Sequence, residues 1–393
     1  MNIQGFSFST VEAAIKKPGR KDLALIFSEV PAAAAAVFTT SSVKAAPVLV
    51  SRDHIAGGTA QALIVNSGNA NACTGEPGMK VARETTALIA RALDIDMSAV
   101  QVCSTGVIGV QLPFERISNS IPALVDGLTC GTLDDVAQAI MTTDTFPKME
   151  ACSAAAGGVT YTVAGIAKGA GMIMPNMATM LSFIITDAAV DPAFLQKAFR
   201  TAVDRSFNAI TVDGDMSTND TCLILANGMA ANPVITEGSP DAEAFTSTVN
   251  SVLLSLAKLI VKDGEGATKF VEIRVSGAKD YSDAKRAAMA IANSSLVKTA
   301  FFGQDANWGR IFAAVGYSGA EADQSLLSLH FDDVCMASKG VYAGDDAEAR
   351  GTEILRKKEF TVTVDLGIGS GTATVYTSDL THEYVSINAD YRS

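Results

Sequence analysis

The chain has 393 residues, 48% hydrophobic and 18% charged, with mean hydropathy +0.25, so it is globular and large enough for two or three domains. A formal net charge of -12 and a pI near 4.8 argue against binding nucleic acid or a membrane surface. Met1 to Lys17 have no basic start followed by an apolar run, no stretch reads as a membrane span, and six cysteines show no CxxC pair. Reduced, mostly buried thiols in a cytoplasmic protein are the expectation.

Strand-like and helix-like stretches alternate from end to end, which points to a mixed α/β fold. Ala62 to Val65 reads as a short buried strand running into the turn-rich Asn66-Ser67-Gly68-Asn69. Leu181 to Thr186, rich in β-branched and large apolar residues, reads as a core strand. Asp191 and Pro192 supply an N-cap and a first-turn proline for a helix carrying Leu195, Phe199 and Ala202. Val252, Leu256 and Leu259 mark a second amphipathic helix, and Val271, Ile273 and Val275 alternate as a half-exposed strand. The polar stretch Ser276 to Ser282 is the best candidate boundary, after which Asp283 is expected to cap a helix and Phe360, Val362 and Val364 to alternate as a strand. These readings divide the chain into a larger domain over 1–277 and a smaller one over 278–393.

The chemistry concentrates in Lys168-Gly169-Ala170-Gly171-Met172-Ile173-Met174-Pro175-Asn176-Met177-Ala178-Thr179-Met180-Leu181. A glycine- and methionine-rich stretch meets the core strand at Thr179. Cleavage at Ala178-Thr179 would give one residue both a hydroxyl and an α-amine. That amine, with a reference pKa of about 7.7–8.0, serves as general base without a histidine. Taken alone, a strand-leading threonine is commonplace; its preceding alanine and dry neighbourhood are what single it out. The three histidines, His54, His330 and His382, stand apart from one another and from cysteine, which leaves little for a zinc site or a Ser-His-Asp triad.

Acyl transfer also needs donors for a developing oxyanion. The loop Cys103 to Gly109 offers the Thr105 hydroxyl and the Gly106 N–H, with glycine allowing close approach to a ligand, although a Ser-Thr-Gly turn is more often only a turn. Thr142-Thr143-Asp144-Thr145 suits either an amino-acid grip or a helix cap. Asn66 to Gly75 reads as a loop satisfying its own backbone, and Gly303 to Arg310, with the sole tryptophan, as a packed turn. Lys262 to Lys269 looks like a phosphate loop but lacks the Gly-Lys-Ser/Thr ending, so nucleotide binding is rejected; Glu265 between two glycines suits a cationic side chain instead.

On its Lys168–Leu181 segment the chain resembles the ornithine acetyltransferase family, and the likeness extends from Val37-Phe38-Thr39-Thr40 to Asn388-Ala389-Asp390-Tyr391. The resemblance implies a layered α/β sandwich of the self-processing aminopeptidase/ornithine acetyltransferase type. It implies cleavage between Ala178 and Thr179 into chains 1–178 and 179–393, which stay associated as (αβ)2. It assigns Thr179 as nucleophile and base, Thr105 and Gly106 as oxyanion hole, and Thr142, Lys168, Thr179, Glu265, Asn388 and Ser393 as substrate contacts. The implied reaction moves an acetyl group from N2-acetyl-L-ornithine to L-glutamate in arginine biosynthesis, with no metal or organic cofactor and with acetyl-CoA open as a second donor. Two departures stand out: Ser393 where threonine is expected, and Met174 where a small or polar residue is usual. The rival readings are an N-terminal-nucleophile amidase or aminopeptidase, and an unprocessed amino-acid-binding protein.

Overall fold

The computed structural model describes residues 3–174 and 180–390. In chain order the elements begin β1 (Phe6–Val11), β2 (Leu23–Phe38), α1 (Ala46–His54), β3 (Thr59–Asn69), α2 (Gly75–Leu93), β4 (Val100–Val107), α3 (Phe114–Asp126) and α4 (Leu133–Ala139). They continue with β5 (Lys148–Ala156), β6 (Val159–Lys168), β7 (Leu181–Thr186), α5 (Pro192–Arg205), β8 (Ile210–Thr211), β9 (Thr221–Ala226) and α6 (Ala242–Lys262). The remainder is β10 (Phe270–Ala278), α7 (Tyr281–Asn293), α8 (Ser295–Gly303), α9 (Trp308–Tyr317), β11 (Ser328–Phe331), β12 (Val334–Ser338) and β13 (Val341–Tyr342), then α10 (Asp345–Leu355), β14 (Glu359–Asp365), β15 (Gly371–Ser378) and α11 (His382–Asp390).

The first of two compact units runs to Asn208 and resumes over Asp215–Ile260. Its sheet has the order β4-β3-β2-β9-β7-β6-β5, with β1 also paired to β2. Strand β2 serves two neighbourhoods. Its first half pairs with β1 and β3, the β3 register breaks between Phe27 and Ala32 around Pro31, and its second half pairs briefly with β3 again and then with β9. Proline fits there because a bulge needs no ladder donor. Side chains alternate between two cores with the strand period of two. Ala24, Ile26, Leu63 and Cys103 join Ile166, Phe183, Ile185 and Leu223 in one core, completed by α4. Leu25, Ala62, Ile64 and Val102 face the other, under α1, α2 and α3. Behind β6, Tyr161 packs on Phe245 of α6, which also meets Phe194 of α5. The result is helix, strand, strand, helix layering.

The second unit holds Ala209–Gly214 and, among the described residues, the chain from Val261 to Asp390. Its sheet runs β13-β12-β11-β14-β10-β15-β8, with β10 parallel to β14 and antiparallel to β15. Ala284, Ala287, Ala288 and Ile291 recur at helical spacing along α7 and cover Val271, Ile273 and Val275.

Most expected elements form, but four readings are corrected. The domain division does not fall at Gly277: β10 is interior to the second sheet, and the polar stretch only ends that strand and turns into α7. Polarity there marks a solvent-facing turn, not the end of a core. Helix α7 is capped by Asp280, whose carboxylate accepts from the Asp283 amide; Asp283 sits one turn in. Only Cys103 and Cys222 are buried, with Cys73 and Cys130 exposed, so the thiols are not mostly buried. Helix α6 is long and apolar enough to cross a membrane by length and composition alone, yet Phe245, Val249, Val252 and Leu256 on it are wholly buried within the protein.

Candidate functional site

In the first unit, β3 does not end at Val65 but continues through Asn69, alongside β4. Thr105 and Gly106 are therefore the last turn of a strand and not part of a loop. Gly106 lies opposite Gly68 with φ +134°, and a Cβ there would overlap the Gly68 carbonyl carbon and the Asn69 amide. The glycine is thus needed for strand-to-strand approach. Ser104 Oγ donates to Asn66 Oδ1 at 2.6 Å, and Asn219 Nδ2 donates to the Ser104 and Ala70 carbonyls at 2.9 and 2.6 Å. These side-chain bonds fix the strand end that presents Thr105. The Asn66–Gly75 run does satisfy its own backbone in part: Asn66 Nδ2 donates to the Asn69 carbonyl, and Asn69 Oδ1 accepts from the Asn71 amide.

Lys168, at the end of β6, brings its ammonium to Thr105 Oγ1 at 3.3 Å. Both residues are buried, at 4% and 7% exposure. Beside them lies Asp144. It caps no helix, since α4 ends before it; instead its carboxylate accepts from Lys148 Nζ and the Gly169 amide, both at 2.7 Å, and from the Thr142 amide at 3.0 Å. Burial alone would raise this carboxyl; the charge of Lys168, then that of Lys148, outweighs it and holds the group down at about 2. Thr142 and Asp144 also line a cavity of about 520 Å³ with Arg20, Lys21 and Asp135. Thr105, Gly106, Thr142 and Lys168, expected from sequence, thus gather in one unit.

Ala178 and Thr179 lie outside the described residues, as does Ser393. The chain is described again at Met180. Its amide donates to Asp220 Oδ1 at 2.7 Å and its carbonyl accepts from the Thr221 amide at 3.2 Å. From there β7 is buried at every position, bonded to β6 on one edge and β9 on the other.

In the second unit, Asn388 of α11 donates through Nδ2 to Glu265 Oε2 at 2.8 Å, joining two expected contacts that stand 123 positions apart. The Glu265 turn is clamped from behind. Thr381 Oγ1 donates to the Gly266 carbonyl, Asp379 accepts from the Thr268 and Lys269 amides, and a Cβ on Gly266 would meet the Tyr384 amide. Under Asp379, Lys298 is buried at 3% exposure and donates to Thr377 Oγ1 and the Ser378 carbonyl. Burial pushes its ammonium down to about 7, against the opposing pull of Asp379 and Asp213.

Sequence reasoning missed Lys148, Asp220 and Lys298. A lysine between Phe146-Pro147 and Met149 was the one available signal, because a cation with apolar neighbours needs a partner. Chemically, the first unit offers a hydroxyl whose oxygen accepts from a cation, and the second a carboxylate with an amide beside it. The first suits a developing negative charge, the second a positive one.

A family model described as the ArgJ family matches residues 7–393. The arginine biosynthesis bifunctional protein ArgJ of Geobacter sulfurreducens is 69% identical, with 100% of each chain covered. Its namesake from Syntrophotalea carbinolica is 55% identical, again with 100% of each covered. Among solved structures, the arginine biosynthesis bifunctional protein argJ of Bacillus halodurans matches with a TM-score of 0.53 at 41% identity, covering 54% of this chain and 100% of that one.

Proposed function

We propose, from the premise that the chain belongs to the ArgJ family and is an acetyltransferase of arginine biosynthesis, that it works by double displacement on Thr179. The Thr179 hydroxyl attacks the acetyl carbonyl of N2-acetyl-L-ornithine while the α-amine of the same residue takes its proton. The C–N bond breaks, that proton passes to the leaving nitrogen, and ornithine departs. The amine of L-glutamate then attacks the acetyl-threonine ester, the ester C–O bond breaks, and the proton released from nitrogen returns to the hydroxyl. Thr105 and Gly106 donate to the oxyanion in both halves.

The observation that carries this reading is the buried Lys168 ammonium on the Thr105 hydroxyl oxygen. Lys168 is assigned to a substrate carboxylate, Glu265 and Asn388 to the substrate ammonium, and Thr142 and Ser393 complete the contacts. No metal or organic cofactor enters these steps; acetyl-CoA would serve only as another acetyl donor to the same threonine. The proposed enzyme is cleaved into chains 1–178 and 179–393, which remain together as (αβ)2. One comparison supports the cut. The solved Bacillus halodurans chain is matched in full by 54% of this one, close to the share that follows residue 178.

Intact mass under denaturing conditions tests the proposal. Wild type should give two chains parted after Ala178, and Thr179→Ala should stay at 40.7 kDa. A wild type that remains whole after long incubation overturns the free-amine mechanism. Acetylornithine hydrolysis that glutamate leaves unchanged would point to the amidase instead.

A further inference from the structure

We propose that Asp144 and Lys148 are positioning residues, forming with Lys168 a buried charge chain that turns the Thr105 hydroxyl into a committed donor toward the oxyanion. The inference rests on the reading of Thr105 as an oxyanion donor and extends it to two residues that touch no substrate.

The chain can be followed bond by bond. Lys148, at the head of β5, is wholly buried, and its ammonium reaches Asp144 Oδ1 at 2.7 Å. The same oxygen accepts from the amide of Gly169, the residue after Lys168, at 2.7 Å. Asp144 therefore holds the backbone from which the Lys168 side chain departs. Lys168 in turn donates to Thr105 Oγ1 at 3.3 Å. An ammonium can only donate. With a lone pair of Oγ1 engaged by that cation, the hydroxyl proton points elsewhere, and the cation strengthens it as a donor. The depressed Asp144 carboxyl agrees with a carboxylate permanently ionised between two cations.

A double-mutant cycle on the full-length, self-processed protein tests the chain, with turnover scaled to the cleaved fraction read by intact mass. Asp144→Asn should lower kcat by about 10- to 100-fold and leave the KM for acetylornithine within about threefold. In a Thr105→Val background the same change should lower kcat by less than about twofold, because the hydroxyl it orients is gone. Equal loss in both backgrounds overturns the positioning role and leaves Asp144 a structural ion-pair partner. Full kcat in Thr105→Val alone overturns the oxyanion reading on which the proposal stands. Should Asp144→Asn not fold, Lys148→Met is run through the same cycle, with the same outcomes deciding.

Discussion

Each unit buries a lysine deeply, and the two fates differ. In the first, Lys148 has a carboxylate at 2.7 Å, and the charges of Lys168 and Lys148 outweigh burial to hold the Asp144 carboxyl at about 2. In the second, Lys298 finds a hydroxyl and a carbonyl, with Asp379 and Asp213 acting only as more distant charges, and it is the ammonium that is driven down to about 7. Burial is nearly equal in both. What differs is whether a full negative charge lies within bonding distance, since neutral acceptors repay little of the desolvation of a cation. The first arrangement is a fixed charge suited to an oxyanion. The second is a support whose charge changes near neutral pH, behind the turn that carries Glu265.

The largest way to break this contrast is Asp144→Ala. It takes from Lys148 the carboxylate at 2.7 Å and should cost about 3–5 kcal/mol of stability, read from denaturant unfolding of the whole chain. A loss below about 1 kcal/mol would show that the lysine had escaped to water. In the wild type, the Asp144 contribution should be complete above about pH 4 and fade as pH falls toward 2, because the folded carboxyl titrates below the unfolded one.

Next comes Lys298→Met, which probes a pH effect of the same sign in a different window. An unfolded lysine holds its proton to about pH 10.4, whereas the folded Lys298 releases it near 7. Between those values the unfolded chain binds more protons, so wild-type stability should climb with pH, by on the order of a few kcal/mol. The methionine variant should lose that climb. Parallel pH profiles for the two proteins would mean that Lys298 stays charged in the fold.

The smallest expected effect, though the most specific, is at Glu265→Gln. Removing the charge while keeping the shape should raise the KM for acetylornithine about tenfold, the worth of one charge-assisted hydrogen bond, and leave self-processing intact. Equal damage to processing and to KM would remove Glu265 from substrate binding.

Much of the scaffold was legible before any coordinates. The apolar run of β7, the Asp191-Pro192 start of α5 and the alternation in β10 and β14 are local signals, and each element forms where its pattern lies. Asn66 to Asn69 misled because asparagine, serine and glycine favour turns; here β4 supplies the ladder partners and the strand continues. The division at Gly277 failed for a related reason, since a polar turn from a strand into a helix looks like a linker until that strand is seen to pair inside the second sheet. Asp144 was noticed, but as a grip or cap. Its partner Lys148 lies four residues on, at helical spacing in a segment that is not helical, so no periodicity announced the pair. Glu265 and Asn388 were joined by resemblance alone; nothing local links positions so far apart.

The strand order of the first unit has a consequence for a chain cut after residue 178. Strands β7 and β9 would then belong to the second product while β2 and β6 belong to the first, and the order places the pair β9-β7 between β2 and β6. Six register pairs bind β9 to β2, and six bind β7 to β6. The two products are dovetailed like boards in a joint, each wedged by the other, and drawing one out means opening a buried seam on both sides at once. Covalent continuity is dispensable in such a joint. A cut protein of this design should travel as one particle through gel filtration and part only in denaturant.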